Sequence, residues 1–208
     1  GAIRQSVTLD PINGFVLRNA RHRVTGATLP QSATVTASKT IDLPTGTKSL
    51  SLMLLGGGGG GASGSWGGEG IIRGNGANGG ATIVQLYDGP TLVGTYEAPG
   101  GVGATEGTSG NNGGDGESSS YGRGGFKGTS SSAPTAGSGQ GAGGGGGYGL
   151  YGRGGKGGKA GSQINRDLDV SLLTAPRLVI TIGAPGAGGI PTGTTNTKVS
   201  GAAGSTSR

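Results

Sequence analysis

The chain has 208 residues, of which 54 are glycine, while only 30% are hydrophobic and 4% aromatic, so an ordinary side-chain core accounts for little of its stability. It has no cysteine and a single histidine, which excludes disulfides, thiolate metal sites and cysteine nucleophiles. The net charge of +6 is spread along the sequence and favours general attraction to anionic surfaces over a dedicated nucleic-acid groove.

Short runs rich in β-branched and alternating apolar residues predict strands. Residues 1–55 contain four of them: GFVLRNA, RHRVTGATL, SATVTASKTIDLP and KSLSLMLL. Two more follow, at 80–98 and 168–183, and the first of these predicts a hairpin that turns at Asp88-Gly89-Pro90. The apolar run Leu50 to Leu55 is far shorter than the ~20 residues that cross a bilayer. We find no helical period.

Glycine tracts separate these runs, and within each tract glycine recurs at every third position. The residues of this spacing that we interpret as structural are Gly58, Gly61, Gly64, Gly67, Gly107, Gly110, Gly113, Gly143, Gly146, Gly149, Gly152, Gly155, Gly158 and Gly161. A flexible linker has no reason to keep such a register, and collagen would need far more than the 9 prolines present.

A period of three matches the polyproline II helix, in which every third residue points the same way. Because an isolated helix of this kind makes no internal hydrogen bonds, several tracts would have to pair with each other. The predicted fold class is therefore β plus polyglycine II, with essentially no α-helix: a β-rich N-terminal region (1–55), followed by a packed bundle of glycine-rich helices (56–208) into which the strands of 80–98 and 168–183 are inserted.

Four stretches, two of them copies of one motif, carry a resemblance to a known family. TIDLPTGTKSLSLMLLGGGGGGASGSWGGEG (40–70) resembles the opening of the glycine-rich domains at the ends of bacteriophage tail fibres, and RLVITIGAPGAGG (177–189) resembles their closing strand. The motif YGRGG, at 121–125 and 151–155, is similar to segments of the tip adhesins of T-even-type phages. The resemblance implies a layered polyglycine II sandwich whose inter-helix loops touch a bacterial receptor. It covers residues 40–208, and residues 1–40 do not resemble the attachment domain of those adhesins.

Enzymatic chemistry finds little support in the sequence. The stretch Gly74 to Gly79 satisfies a dinucleotide-binding pattern, but no helix follows that could receive a pyrophosphate. Gly155-Lys156 and Gly158-Lys159 lack the following Ser or Thr of a phosphate loop. We therefore expect no enzymatic activity, no cofactor and no metal site.

Recognition is predicted to depend on large side chains that a glycine bundle cannot enclose, together with segments where the period breaks. The candidate receptor-binding residues are Trp66, Ile71, Ile72, Arg73, Tyr121, Phe126, Tyr148 and Tyr151. The candidate loops are Ile71 to Asn78, Glu117 to Tyr121 and Thr129 to Gly139, of which the last two are rich in serine.

These observations predict a receptor-binding adhesin at the distal, extracellular end of a phage tail fibre in the virion. Its expected partners are a bacterial outer-membrane protein or lipopolysaccharide and the rest of the fibre, either as a homotrimer or as a separate capping protein. Two alternatives stay open: an ice-binding protein, since some insect antifreeze proteins have glycine at every third position, and an RNA-binding protein of the Arg-Gly-Gly type.

Overall fold

Six β-strands form the regular structure of the part of the chain that is described here. The computed structural model describes residues 32–63, 74–105, 125, 137–139, 141–146, 155–190 and 200–205. In chain order the strands are β1 (Lys39–Asp42), β2 (Ser49–Leu55), β3 (Thr82–Asp88), β4 (Thr91–Ala98), β5 (Gln163–Asp169) and β6 (Pro176–Thr181). The described residues contain no helix.

The strands form two antiparallel sheets. One sheet has four strands in the order β1-β6-β3-β4, and the other consists of β2 and β5. In the four-stranded sheet, Leu178 of β6 lies between two apolar partners, Ile41 on β1 and Leu86 on β3. In the two-stranded sheet, Leu52 lies opposite Arg166. All adjacent strands are antiparallel, so turns or long glycine-rich connections can link them.

The apolar core lies between the two sheets. Residues along β2, β3 and β6 alternate between buried and half-buried, as period-two strands with one face in a core do. The buried cluster consists of Val35, Leu43, Leu50, Leu52, Leu54, Val84, Leu86, Ala98, Val170, Leu178 and Ile180. This small core explains how a chain with few hydrophobic residues can hold two sheets together.

The predicted fold class, an N-terminal β region followed by a bundle of polyproline II-type helices, is wrong. The described regular structure is two antiparallel sheets whose strands are drawn from Lys39 to Thr181, with glycine segments as the connections between them. The physical reason is the distribution of apolar residues: Leu50 to Leu54 can bury their side chains only against the apolar faces of β3 and β6, which come much later in the chain.

The hairpin predicted for 80–98 is confirmed. β3 and β4 pair from Thr82 with Ala98 to Asp88 with Thr91, with an irregularity between Leu86 and Tyr87. Gly89 occupies the turn with a φ of 56°, a conformation that glycine adopts without steric cost. The strand prediction for 168–183 was incomplete, because β5 begins at Gln163 and a turn separates it from β6. The predicted strands before residue 32 lie outside the described residues.

Candidate functional site

Glycine segments form a main-chain network next to the sheets, with residues 56–63 at its centre. All eight of these residues are buried. Main-chain hydrogen bonds join them to six other segments: 74–80, 99–105, 141–146, 156–162, 184–190 and 201–205. We call these seven segments together the glycine core.

The central segment donates its N–H groups to three neighbours in strict rotation. The first set of N–H groups donates to the carbonyls of segment 156–162: Gly56 to Ser162, Gly59 to Lys159 and Ala62 to Lys156. The second set donates to segment 74–80: Gly57 to Gly80, Gly60 to Ala77 and Ser63 to Gly74. The third set donates to segment 201–205: Gly58 to Ser205 and Gly61 to Ala202. These distances lie between 2.9 and 3.2 Å. Because buried amides must be paired, the rotation satisfies every N–H of a segment that lacks secondary structure.

Side chains complete the network at its margins. The Asn78 Oδ1 atom accepts a hydrogen bond from the Gly103 N–H at 2.8 Å, and the Ser63 Oγ accepts one from the Gly74 N–H at 2.8 Å. Ser205 Oγ accepts from the Ala142 N–H at 2.6 Å and donates to the Gly139 carbonyl at 3.1 Å. Short polar side chains therefore replace main-chain partners where the segments diverge.

The glycine core has two distinct ends. At the strand junction, β2 runs directly into Gly56, β3 follows Gly80, β4 leads to Gly100, β5 follows Gly161 and β6 leads to Gly183. The opposite end, here called the far end, contains Ser63, Gly74, Gly146, Gly155 and Ile190. Contacts link these residues in space: the Ser63 N–H donates to the Gly74 carbonyl at 2.9 Å, and a Cβ on Gly146 would lie 2.1 Å from the Gly155 carbonyl.

The predicted receptor-binding residues Trp66, Ile71, Ile72, Arg73, Tyr121, Phe126, Tyr148 and Tyr151 all lie outside the described residues. The described residues stop at Ser63 and resume at Gly74, and they stop again at Gly146 and resume at Gly155. These four residues belong to the far end, so the connections that contain six of the eight candidates (Trp66, Ile71, Ile72, Arg73, Tyr148 and Tyr151) are anchored there.

Part of a predicted loop belongs to the core instead. Gly74 to Asn78 fall within the stretch Ile71 to Asn78, yet the Gly76 N–H donates to the Ala104 carbonyl. The Ala77 carbonyl accepts a hydrogen bond from the Gly60 N–H, and the Ala77 N–H donates to the Ala187 carbonyl. The break in the glycine period misled the prediction, because Asn75, Ala77 and Asn78 carry side chains without disturbing the pairing. Asn75 and Ala77 are exposed.

The described structural glycines have no room for a side chain. They are Gly58, Gly61, Gly143, Gly146, Gly155, Gly158 and Gly161, and a Cβ built on any of them would lie between 1.8 and 2.2 Å from a main-chain carbonyl oxygen. The remaining predicted ones, Gly64, Gly67, Gly107, Gly110, Gly113, Gly149 and Gly152, lie outside the described residues.

Two exposed residues at or near the far end were missed by the sequence reasoning. Ile190 is 69% exposed and its main chain lies against Gly74, and Lys156 is exposed beside Gly155. The glycine spacing could have revealed Ile190. Gly183, Gly186 and Gly189 recur at every third position and are buried, and the residue that follows each of them is exposed.

Charge is distributed unevenly over the described part of the chain. All of its carboxylates lie on the strands: Asp42, Asp88, Glu97, Asp167 and Asp169. The described glycine core contains two charged side chains, Lys156 and Lys159, and both are cationic. The core therefore presents a weakly positive surface next to a more acidic sheet layer.

Over the ranges that the structure covers, no three His, Cys, Asp or Glu side chains are grouped so that they could hold a metal ion. A search of the same ranges found no helix with the length and apolar character of a membrane span. Comparisons of the chain with protein-family models, with curated proteins and with solved structures found no match.

Proposed function

We propose that the protein is a non-enzymatic receptor-binding adhesin at the distal end of a phage tail fibre. The observation that carries the proposal is the shared anchoring of two candidate connections at the far end of the glycine core. Ser63 pairs with Gly74, and Gly146 lies against Gly155. Rigid scaffolds with variable connections at one end are a common way to separate stability from recognition.

The chemistry of the candidate residues supports binding. Trp66, Tyr148 and Tyr151 are aromatic residues, and Arg73 follows the apolar pair Ile71-Ile72. Tryptophan, tyrosine and arginine dominate the energetics of protein recognition surfaces. The receptor is a bacterial outer-membrane protein or lipopolysaccharide, and the cationic glycine core with Lys156 favours the approach to phosphate-bearing lipopolysaccharide.

Binding of the purified protein to outer-membrane extracts from a panel of bacteria tests this proposal. Protease treatment of an extract should abolish binding to a protein receptor, whereas binding to lipopolysaccharide should survive it and weaken as salt is added. Absence of binding to every extract contradicts the proposal.

The site assignment needs separate variants. Trp66→Ala, Arg73→Ala and Tyr121→Ala should each weaken binding to a responsive extract about tenfold or more, as loss of an interface anchor does. Arg166→Ala is the matched arginine control, because Arg166 is exposed on β5, where its guanidinium donates a hydrogen bond to the carbonyl of the neighbouring Asn165. Unchanged binding by all three test variants would remove the assignment.

A further inference from the structure

Two asparagine residues of the glycine core are each followed directly by a glycine. They are Asn75, before Gly76, and Asn78, before Gly79. In an unfolded chain this dipeptide is especially prone to lose its side-chain amide, because glycine has no side chain that would shield its main-chain nitrogen. Segment 74–80 therefore contains two places at which the chain can modify itself.

The reaction at Asn78 would close a ring and then open it. The Gly79 nitrogen attacks the Asn78 Cγ atom, the nitrogen's proton passes to a base from the solvent, and the side-chain amide nitrogen leaves as ammonia. Water then opens the ring in one of two ways. Attack at Cγ breaks the new N–Cγ bond and gives aspartate. Attack at the main-chain carbonyl carbon breaks the original peptide bond and gives isoaspartate, in which the main chain continues through Cβ and Cγ.

Main-chain hydrogen bonds oppose ring closure at both sites. The Gly79 N–H donates to the Gly101 carbonyl at 2.8 Å. The Gly76 N–H donates to the Ala104 carbonyl, also at 2.8 Å. Ring closure replaces this N–H by an N–C bond, so the hydrogen bond would be lost and the carbonyl of a buried residue would be left unpaired. The ring can therefore form only after the asparagine segment has separated from its neighbour.

The surroundings of Asn78 oppose the reaction in a second way. Its Oδ1 atom accepts a hydrogen bond from the Gly103 N–H at 2.8 Å, which directs the side-chain carbonyl towards the neighbouring segment. Main chain also packs on both sides of Gly79. A Cβ on Gly79 would lie 2.1 Å from the Gly57 carbonyl oxygen, and a Cβ on Gly100 would lie 2.0 Å from the Gly79 carbonyl oxygen. The main-chain rotation that would bring Cγ onto the Gly79 nitrogen has no room while the core is closed.

The two products differ in their effect on the pairing of segment 74–80. Aspartate keeps the length of the main chain, and its Oδ1 atom can still accept from the Gly103 N–H. Isoaspartate adds an atom to the main chain between Ala77 and Gly80. The N–H groups of these two residues donate to the carbonyls of Ala187 at 2.8 Å and Ala184 at 2.7 Å. Because the acceptor segment keeps its own spacing, the lengthened chain cannot form both hydrogen bonds.

We propose that Asn75 and Asn78 are self-modification sites that the closed glycine core keeps unreactive, and that isoaspartate at position 78 makes an opening of the core irreversible. The only co-reactant is water. A chemical step that follows unfolding is one of the ways in which the loss of a fold becomes irreversible. The glycine core thus protects the two bonds on which its own ability to reclose depends.

Incubation of the full chain in mildly alkaline buffer, with and without guanidinium chloride, tests the protection. Chymotrypsin cleaves after Trp66 and Tyr87, so the peptide 67–87 carries both sites. Mass spectrometry with electron-transfer fragmentation distinguishes asparagine, aspartate and isoaspartate at each position. We expect both sites to convert about a hundredfold more slowly in buffer than in denaturant, since a closed segment reacts only through transient opening.

A third asparagine provides the reference for the unfolded chain. Asn112 precedes Gly113 and lies in a different chymotryptic peptide, so its conversion in denaturant gives the rate of the same dipeptide without protection. Asn78 should convert in denaturant at a similar rate. Equal conversion of Asn78 with and without denaturant would overturn the proposal.

The effect of the products on closure is tested with chains that have been partly converted in denaturant. They are diluted to the denaturant concentration at which half of the unmodified chains are folded, and a brief pulse of protease removes the unfolded chains. Isoaspartate at position 78 should be depleted about tenfold among the surviving chains, because main-chain hydrogen bonds are lost. Aspartate at the same position should be retained.

Asn78→Asp is the matched control, because it introduces the same charge without lengthening the main chain. This variant should fold and melt close to the parent protein. Equal survival of chains with isoaspartate and chains with asparagine at position 78 would overturn the proposal. Equal depletion of isoaspartate and aspartate would attribute the loss to the charge instead of the lengthened chain, and would overturn it as well.

Discussion

At the scale of single residues, the distinctive interaction is contact between main chains that have no side chain between them. A Cβ on Gly60 would lie 1.9 Å from the Ala187 carbonyl oxygen, and one on Gly57 would lie 2.3 Å from the Ala184 carbonyl. Main-chain neighbours cannot rotate away as a flexible side chain can. Glycine is required here for close approach rather than for an unusual φ.

The first prediction concerns this close approach. Gly60→Ala should destabilise the protein by on the order of 4 kcal/mol or prevent folding, since overpacking against main chain forces whole segments apart. Gly46→Ala is the control: its Cβ would meet nothing within 4 Å, but Gly46 has a φ of 84°, so it should cost only about 1 kcal/mol. Thermal unfolding of both variants measures the difference, and equal losses would contradict the steric explanation.

A second prediction at this scale concerns Asp88. Hydrogen bonds from the Ala175 N–H, and then from the Thr174 hydroxyl and N–H, hold the pKa of this carboxyl below its ordinary value of 3.8. A lowered pKa in the folded state means that the carboxylate contributes stability above the unfolded-state pKa and that this contribution is lost as the pH falls through the folded-state pKa.

Asp88→Asn should therefore make the unfolding temperature less dependent on pH between about pH 5 and about pH 2. Thr174→Val removes only the hydroxyl donor and keeps both N–H donors, so it should flatten the profile less. Circular dichroism melts at a series of pH values provide the measurement. Parallel profiles for Asp88→Asn and the parent protein would show that these hydrogen bonds do not stabilise the turn.

At the scale of elements, β2 links the two kinds of interior. Its residues Leu50, Leu52 and Leu54 are at most 2% exposed in the apolar core, and the same strand continues into Gly56, which begins the centre of the glycine core. A single chain segment of 15 residues, 49–63, thus takes part in both. Loss of packing at β2 should therefore destabilise the apolar core and the glycine core together.

The third prediction tests the apolar half of this element. Leu54→Ala should cost about 2–5 kcal/mol, because Leu54 is fully buried and its neighbours cannot collapse into the space. Val102→Ala, at a side chain that is 52% exposed, should stay within about 0.5 kcal/mol of the parent protein. Denaturant unfolding measures both values, and a small loss for Leu54→Ala would mean that the sheets contribute little to stability.

Sequence reasoning succeeded for elements that local chemistry specifies. The alternation in TIVQLYD and the turn residues Gly89-Pro90 define the β3–β4 hairpin without help from the rest of the chain. It failed for β5, whose sequence QINRDLD has few apolar residues and becomes a strand through pairing with β2. It also failed for the fold class, since no local pattern shows that strands more than 100 residues apart share two sheets.

The candidate site was predictable only in part. The glycine spacing correctly identified positions without room for a Cβ, such as Gly58 and Gly158, because that requirement is written into each residue. Which segments meet, and at which end, depends on how the sheets order the connections. The exposed far-end residues Ile190 and Lys156 were therefore missed.

At the scale of the whole molecule, two zones follow each other in the described part of the chain: the two sheets, and the glycine core with its far end. The strands supply the apolar burial, and the glycine segments continue from them as main chain that pairs with main chain. In the proposed adhesin, this order places the recognition end on the side of the glycine core that lies opposite the sheets.

The last prediction concerns how stability is distributed across these zones. Residues 56–63 are buried and donate every N–H to a surrounding segment, so their amides can exchange with solvent only when several segments separate at once. We expect them to exchange as slowly as the buried strand β2 and more slowly than the outer segment 184–190, in which Ala184, Ala187 and Ile190 are exposed. NMR of the glycine amides measures this. Faster exchange in 56–63 than in 184–190 would mean that the glycine core opens independently of the sheets. Equal exchange rates for 56–63 and β2, both increased by Leu54→Ala, would establish that the glycine core and the sheets unfold as a single cooperative unit.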